Sequence, residues 1–168
     1  ATSCFVDSFQ WKEKHLSPRL LSAADCADVL VVAITPRRAD GQVDLEGVRR
    51  NVEFLCEQGV RFLMPMCGPG LVYDATLAEF EAVTQAFLEA AGDRALVVPG
   101  IGPGFGRALE MAKIARGLGV AGAMIMPIVG PASAAGVRAG LSRIASEGGL
   151  PIVLYQRRLD IMPVDDVV

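Results

Sequence analysis

Tyr155 closes the apolar run Pro151-Ile152-Val153-Leu154-Tyr155. A phenol at the carboxyl end of a parallel strand stands in the crevice where α/β proteins bind ligands, and it can pass a proton there. The other reading is a ring that packs while its hydroxyl finds a carbonyl. A second apolar run, Val60 to Met66, leads into Cys67-Gly68-Pro69-Gly70. A turn at that position aims backbone N–H groups at the same edge. Gly68 and Gly70 each have an N–H to offer, whereas Pro69 has none. Cys67 could be a nucleophile only with a base nearby, and none is evident, so it reads as a small buried apolar residue. Arg157 and Arg158 could grip a substrate carboxylate bidentately or form a solvated loop pair. The single histidine, His15, reads as a surface residue rather than a ligand.

Gly100-Ile101-Gly102-Pro103-Gly104-Phe105-Gly106 invites comparison with a dinucleotide-binding turn. The G-x-G-x-x-G spacing fails, because its third glycine position holds Phe105 counted from Gly100 and Arg107 counted from Gly102. No lysine follows, as a phosphate-binding loop requires. A tight strand-to-helix turn with close backbone approach accounts for the glycines. A phosphate or carboxylate could still rest on the following helix N-terminus.

Cys4, Cys26, Cys56 and Cys67 show no C-x-x-C spacing, so the expectation is no metal, no cofactor, no disulfide framework and a reducing cytoplasm. A net charge of −3 with interspersed signs argues against a nucleic-acid surface. No apolar run reaches the roughly eighteen residues of a membrane span. Ala1-Thr2-Ser3-Cys4 does not open a signal peptide.

The elements that must position these groups alternate along the chain. Residues 1–28 are weakly patterned and read as an N-terminal extension, with one short helix over Ala23 to Ala27. Val29 to Ile34 is a continuous branched apolar run, the mark of a strand covered on both faces, and Thr35-Pro36 ends it. Asp40-Gly41 makes a turn, Asp44 caps a helix with its apolar stripe at Leu45, Val48, Val52, Leu55 and Cys56, and Gly59 closes it. Thr76 and Glu79 form a capping box for a helix that buries Phe80, Val83, Phe87 and Leu88. Ala95 to Gly100 is the third strand, followed by a helix over Ala108 to Leu118. Gly122 to Met126 is the fourth strand, followed by a helix over Ala134 to Ser146, and Pro151 to Tyr155 is the fifth. Pro163 to Val168 reads as the first turn of another helix, which favours a piece of something longer. Strand and helix thus alternate five times at about thirty residues, the βαβ period. Two architectures satisfy that: an open doubly wound sheet, or a (β/α)8 barrel of which residues 29–168 are part.

In the order of these pieces the chain resembles the dihydrodipicolinate synthase / N-acetylneuraminate lyase family, over about Val29 to Val168. The likeness rests on Ala33-Ile34-Thr35-Pro36 with Gly41-x-Val43-Asp44, Gly59-Val60, and Thr76-Leu77-x-Glu79. It continues through Val98-Pro99-Gly100-Ile101-Gly102, Gly119-Val120-Ala121-Gly122-Ala123, Met126-Pro127 and Pro151-Ile152-Val153-Leu154-Tyr155. The resemblance implies a (β/α)8 TIM barrel, of which this chain supplies about the first five βα units, in a homo-oligomer (tetramer or dimer). It implies a lysine Schiff base with a small 2-keto acid such as pyruvate, then aldol addition, cleavage or dehydration. Tyr155 falls on the family's proton-relaying tyrosine. The family's hydroxyl-bearing carboxylate turn aligns with Cys67-Gly68-Pro69-Gly70-Leu71, so the substrate-binding turn is Gly68, Pro69 and Gly70, with only the amides of Gly68 and Gly70 left to do that work. A second family tyrosine falls on Val129. The Schiff-base lysine belongs on a sixth strand beyond Val168. Lys12 and Lys14 precede the first strand, and Lys113 sits on a helix away from the strand ends. Two other functions fit the residues: a non-catalytic or regulatory barrel that binds a small carboxylate, and an open α/β domain that binds a phosphorylated ligand at Gly100 to Gly106.

Overall fold

The computed structural model describes residues 19–127 and 132–155. Its strands are β1 (Val31–Val32), β2 (Phe62–Met64), β3 (Leu96–Val97), β4 (Gly100–Ile101), β5 (Ala123–Ile125) and β6 (Ile152–Leu154). All pair in parallel, with Val31 opposite Leu63, Phe62 opposite Leu96, Gly100 opposite Met124, and Ala123 opposite Ile152. β3 and β4 are two halves of one apolar run that the sequence presents as a single strand. Pro99 has no N–H, so the ladder is interrupted there. On one side, Val98 N–H donates to Leu63 O and Gly100 N–H to Pro65 O, both at 2.9 Å. On the other, Ala121 N–H reaches Val97 O at 3.2 Å and Met124 N–H reaches Pro99 O at 2.9 Å. One parallel sheet therefore runs β1, β2, β3 with β4, β5, β6, in chain order.

That order decides between the two expected architectures. A doubly wound sheet reverses its strand order and carries helices on both faces. Here α1 (Leu45–Glu57), α2 (Leu77–Ala91), α3 (Phe105–Leu118) and α4 (Ala134–Gly148) follow one another, and each packs on the next. They form one layer on one face, as right-handed crossovers between successive neighbours require. The open doubly wound alternative is set aside. Sequential strands with a one-sided helical layer are the arrangement a (β/α)8 barrel uses.

The caps explain where the helices begin. Asp44 accepts from Gly47 N–H, and Thr76 and Glu79 make the reciprocal capping box. Gly119 and Gly149 end α3 and α4 in the left-handed region, at φ 83° and 64°. α3 begins at Phe105, three residues before the expected Ala108. Gly104 at φ 93° turns the chain immediately ahead of it, and Gly106 is tolerated in the first turn, where few intrahelical bonds depend on it. Residues Ala23–Ala27 form a short 3-10 helix, and Leu21 N–H donates to Ala121 O at 2.8 Å. The end of the N-terminal segment thus lies against the amino edge of the sheet.

The core sits between sheet and helices. Phe62, Leu63, Met66, Phe80, Phe87, Ile101 and Met111 are all but fully buried. Burying one such side chain is worth roughly 1.5–3 kcal/mol. The outer strands differ: Val29, Val32 and Ile34 are exposed, and Ile152, Val153 and Leu154 are only half-buried.

Candidate functional site

The turn after β2 is built by close backbone packing. A Cβ on Gly100 would lie 2.4 Å from Met66 O and 2.9 Å from Cys67 Sγ, and one on Gly70 would lie 2.9 Å from Met66 N. Only glycine fits at either place. Met66 itself takes φ 54° and Leu71 takes φ 60°, left-handed conformations that cost a non-glycine residue about 1–3 kcal/mol. The surroundings hold them there: Leu71 N–H donates to Gly68 O at 3.0 Å, and Met66 is fully buried. The Thr35 hydroxyl, at the end of the first strand, lies 3.6 Å from Met66 Sδ.

Cys67 is buried, and loss of solvent pushes its thiol up to about 12, only partly offset by the Gly100 N–H. It stays protonated near neutral pH, so it serves as the small packing residue that its setting implied.

The candidate binding residues stand in graded exposure. Gly68 is half-buried, Pro69 is exposed and Gly70 is buried against the Met66 amide. A Cβ on Gly68 would face Met126 Cε at 3.9 Å. Tyr155 N–H meets Ile125 O at 3.4 Å, and the residue is 45% exposed. The Gly68 turn and the Tyr155 backbone therefore both flank the end of β5, on the carboxyl edge of one sheet. Lys113 is exposed on α3, within the helical layer. Lys12, Lys14, His15, Val129, Arg157 and Arg158 lie outside the described residues.

Two arginines that spacing did not single out tie the loops of this edge together. Arg107, in the first turn of α3, donates from Nη2 to Val72 O at 3.1 Å and to Ala75 O. Arg37 donates from Nη1 to Gly41 O at 2.8 Å and to Glu79 Oε1 at 2.6 Å. Arg37 first, then the Thr76 N–H, holds the Glu79 carboxyl below its ordinary range. In the sequence Arg107 appears only as the residue spoiling a glycine motif, and nothing about its position announces carbonyl partners thirty residues earlier.

Among the described residues no group of three His, Cys, Asp or Glu side chains could hold a metal, and no helix is long and apolar enough to cross a membrane. A cleft of about 710 Å³ opens at the opposite, amino edge of the strands, beside Arg61, Phe62, Ala95 and Ala121. Arg19 and Asp25 on its rim already pair with each other at 2.5 Å. Close backbone approach explains Gly100, and positive φ angles of 95° and 93° explain Gly102 and Gly104, so a phosphate need not be invoked for these three.

A one-layered set of helices over sequential parallel strands, with its candidate groups on the carboxyl edge, defines an α/β protein of the barrel type. Comparison with known proteins narrows the class. Residues 25–161 match the Dihydrodipicolinate synthetase family, and the chain belongs to it. It is 34% identical over 137 residues to the 4-hydroxy-tetrahydrodipicolinate synthase of Acidothermus cellulolyticus, covering 80% of this chain and 44% of that one. It is 32% identical to a probable 5-dehydro-4-deoxyglucarate dehydratase 2 of Streptomyces avermitilis, covering 77% of this chain and 39% of that one. The solved dihydrodipicolinate synthase from Oceanobacillus iheyensis superposes with a TM-score of 0.75 at 28% identity, over 81% of this chain and 46% of that one. The N-acetylneuraminate lyase from Mycoplasma synoviae, at 20% identity and TM-score 0.71, shares the fold over 82% of this chain and 48% of that one. The chain thus spans less than half the length of these relatives.

Proposed function

We propose that residues 29–168 form the first five βα units of a (β/α)8 barrel, and that residues 1–28 precede it as an extension. The complete protein would be a carbon–carbon lyase or aldolase acting on a pyruvate-like 2-keto acid. A lysine Schiff base would carry the reaction, with the lysine on a sixth strand outside this chain, and the fragment alone would be inactive. No cofactor is required for that chemistry. The observation that carries the reading is the shared position of the Gly68 turn and Tyr155 beside the end of β5. Membership of a family whose named relatives include a synthase and a dehydratase supports it.

In this mechanism the lysine amine adds to the keto carbon, water leaves, and the iminium draws electrons from the adjacent C–C or C–H bond. Tyr155 shuttles the protons that these steps release and consume. The amides of Gly68 and Gly70 hold the substrate carboxylate. Gly68, the more accessible of the two, is the main donor, and Pro69 shapes the turn without donating. A cytoplasmic homo-oligomer is the expected setting. Borohydride reduction of the complete polypeptide with pyruvate should trap a covalent adduct, read by intact mass. Absence of that adduct sinks the Schiff-base mechanism. Mass spectrometry of the natural polypeptide tests the fragment reading separately.

A further inference from the structure

We propose that Arg107 is a positioning residue, holding the turn Cys67–Gly70 in place at the carboxyl edge and thereby setting that turn's affinity for a carboxylate. The carboxylate clause rests on the function proposed above, but the positioning clause does not.

The argument starts from what the turn lacks. Its residues are Cys67, Gly68, Pro69 and Gly70, so the one side-chain hydrogen bond it has among the described residues is the weak thiol contact from Cys67 Sγ to Pro65 O at 3.6 Å. Two glycines and two left-handed residues, Met66 and Leu71, make a backbone with strain to relieve. Something outside must hold it. Val72 is gripped from both sides: its N–H donates to Cys67 O at 3.4 Å, and its carbonyl accepts from the Arg107 guanidinium. The same Nη2 donates to the Ala75 carbonyl, so one NH2 group of the guanidinium bridges residues 72 and 75. The buried side chains of Val72 and Ala75 seat the loop from below. Arg107 stands in the first turn of α3, just after the Gly102 to Gly104 bend. It therefore couples the loop after β2 to the loop after β4, two loops of the same sheet edge. Nε of Arg107 is buried and has no hydrogen-bond partner among the described residues, and the hydrogen bonds of the guanidinium run from Nη2 to the two loop carbonyls.

The test compares Arg107→Met and Arg107→Lys with the parent in the full-length polypeptide, using Arg138→Gln, an exposed position on α4, as a control for loss of a surface charge. Hydrogen exchange is read at the amides of Leu71, Val72 and Asp74, with Val98 and Met124 as sheet references. In Arg107→Met the loop amides should exchange at least tenfold faster while the references hold. Arg107→Lys should fall between, since its ammonium keeps donors for both carbonyls but sits one bond nearer the backbone than Nη2 and reaches them less well. With pyruvate as the probe, the concentration that gives half-maximal borohydride trapping should rise about tenfold in Arg107→Met while the maximal trapped fraction stays within threefold. Unchanged loop exchange, or exchange that rises equally at Val98 and Met124, overturns the positioning role. Faster loop exchange with an unchanged half-saturation for trapping overturns the carboxylate clause. If the parent forms no borohydride adduct with pyruvate, the lyase reading fails, and the exchange data alone judge Arg107.

Discussion

The two parts of the candidate site are held very differently. The turn after β2 is tightly packed at Met66, Cys67 and Gly70 and clamped by a residue from another loop. Tyr155 after β6 is exposed, and the strand that carries it is half-buried with one backbone edge unpaired among the described residues. The turn is finished by contacts within this chain, whereas the phenol waits on neighbours that the described residues do not supply. One region should therefore answer to mutation through stability and the other through activity.

The sharpest way to break that contrast is Gly100→Ala. The new methyl would meet a backbone oxygen that cannot move aside, so a loss of more than about 4 kcal/mol is expected in denaturant titration. A loss below about 1 kcal/mol would mean the turn is loosely packed after all. Tyr155→Phe should do the reverse in the complete enzyme. Turnover should fall by about 10²- to 10⁴-fold, with stability changed by less than about 0.5 kcal/mol. Thr76→Ala removes the hydroxyl that starts α2 behind the turn and should cost about 1 kcal/mol by thermal unfolding. Gly68→Ala is the smallest. Its methyl finds ordinary contact distance from Met126, so stability should stay within about 0.5 kcal/mol while keto-acid binding reports any crowding of the donor.

Acid sharpens the comparison from another side. The Glu79 pKa is depressed in the folded chain by Arg37 and the Thr76 N–H. The stability this contributes is complete above the unfolded value of about 4.5 and is lost as pH falls through the lower folded value. Arg37→Met should lose less stability than the parent between about pH 5 and pH 3 in urea titrations. Equal losses would show that the Arg37 link contributes nothing.

Much of the scaffold was legible before any coordinates, because strand runs, caps and left-handed glycines are local signals. Asp44, the Thr76 and Glu79 pair and Gly119 each do what their neighbours in sequence imply. The interruption at Pro99 follows from its missing donor, yet where the sheet carries on around it depends on both neighbouring strands. The candidate site was legible only in outline. Tyr155 and Gly68 could be set on one edge by counting strands, but whether the sheet reverses its order is a long-range fact. Arg107 and Arg37 were silent for the same reason: their partners are carbonyls and a carboxylate that only the fold brings near.

Strand order carries a consequence for biosynthesis. With β3 and β4 counted as one run, each later strand run hydrogen-bonds to the run made just before it, so a nascent chain can dock each newly emerged unit without waiting for distant sequence. Growth would proceed vectorially, and throughout translation the youngest strand would present a raw, adhesive border until its successor arrived.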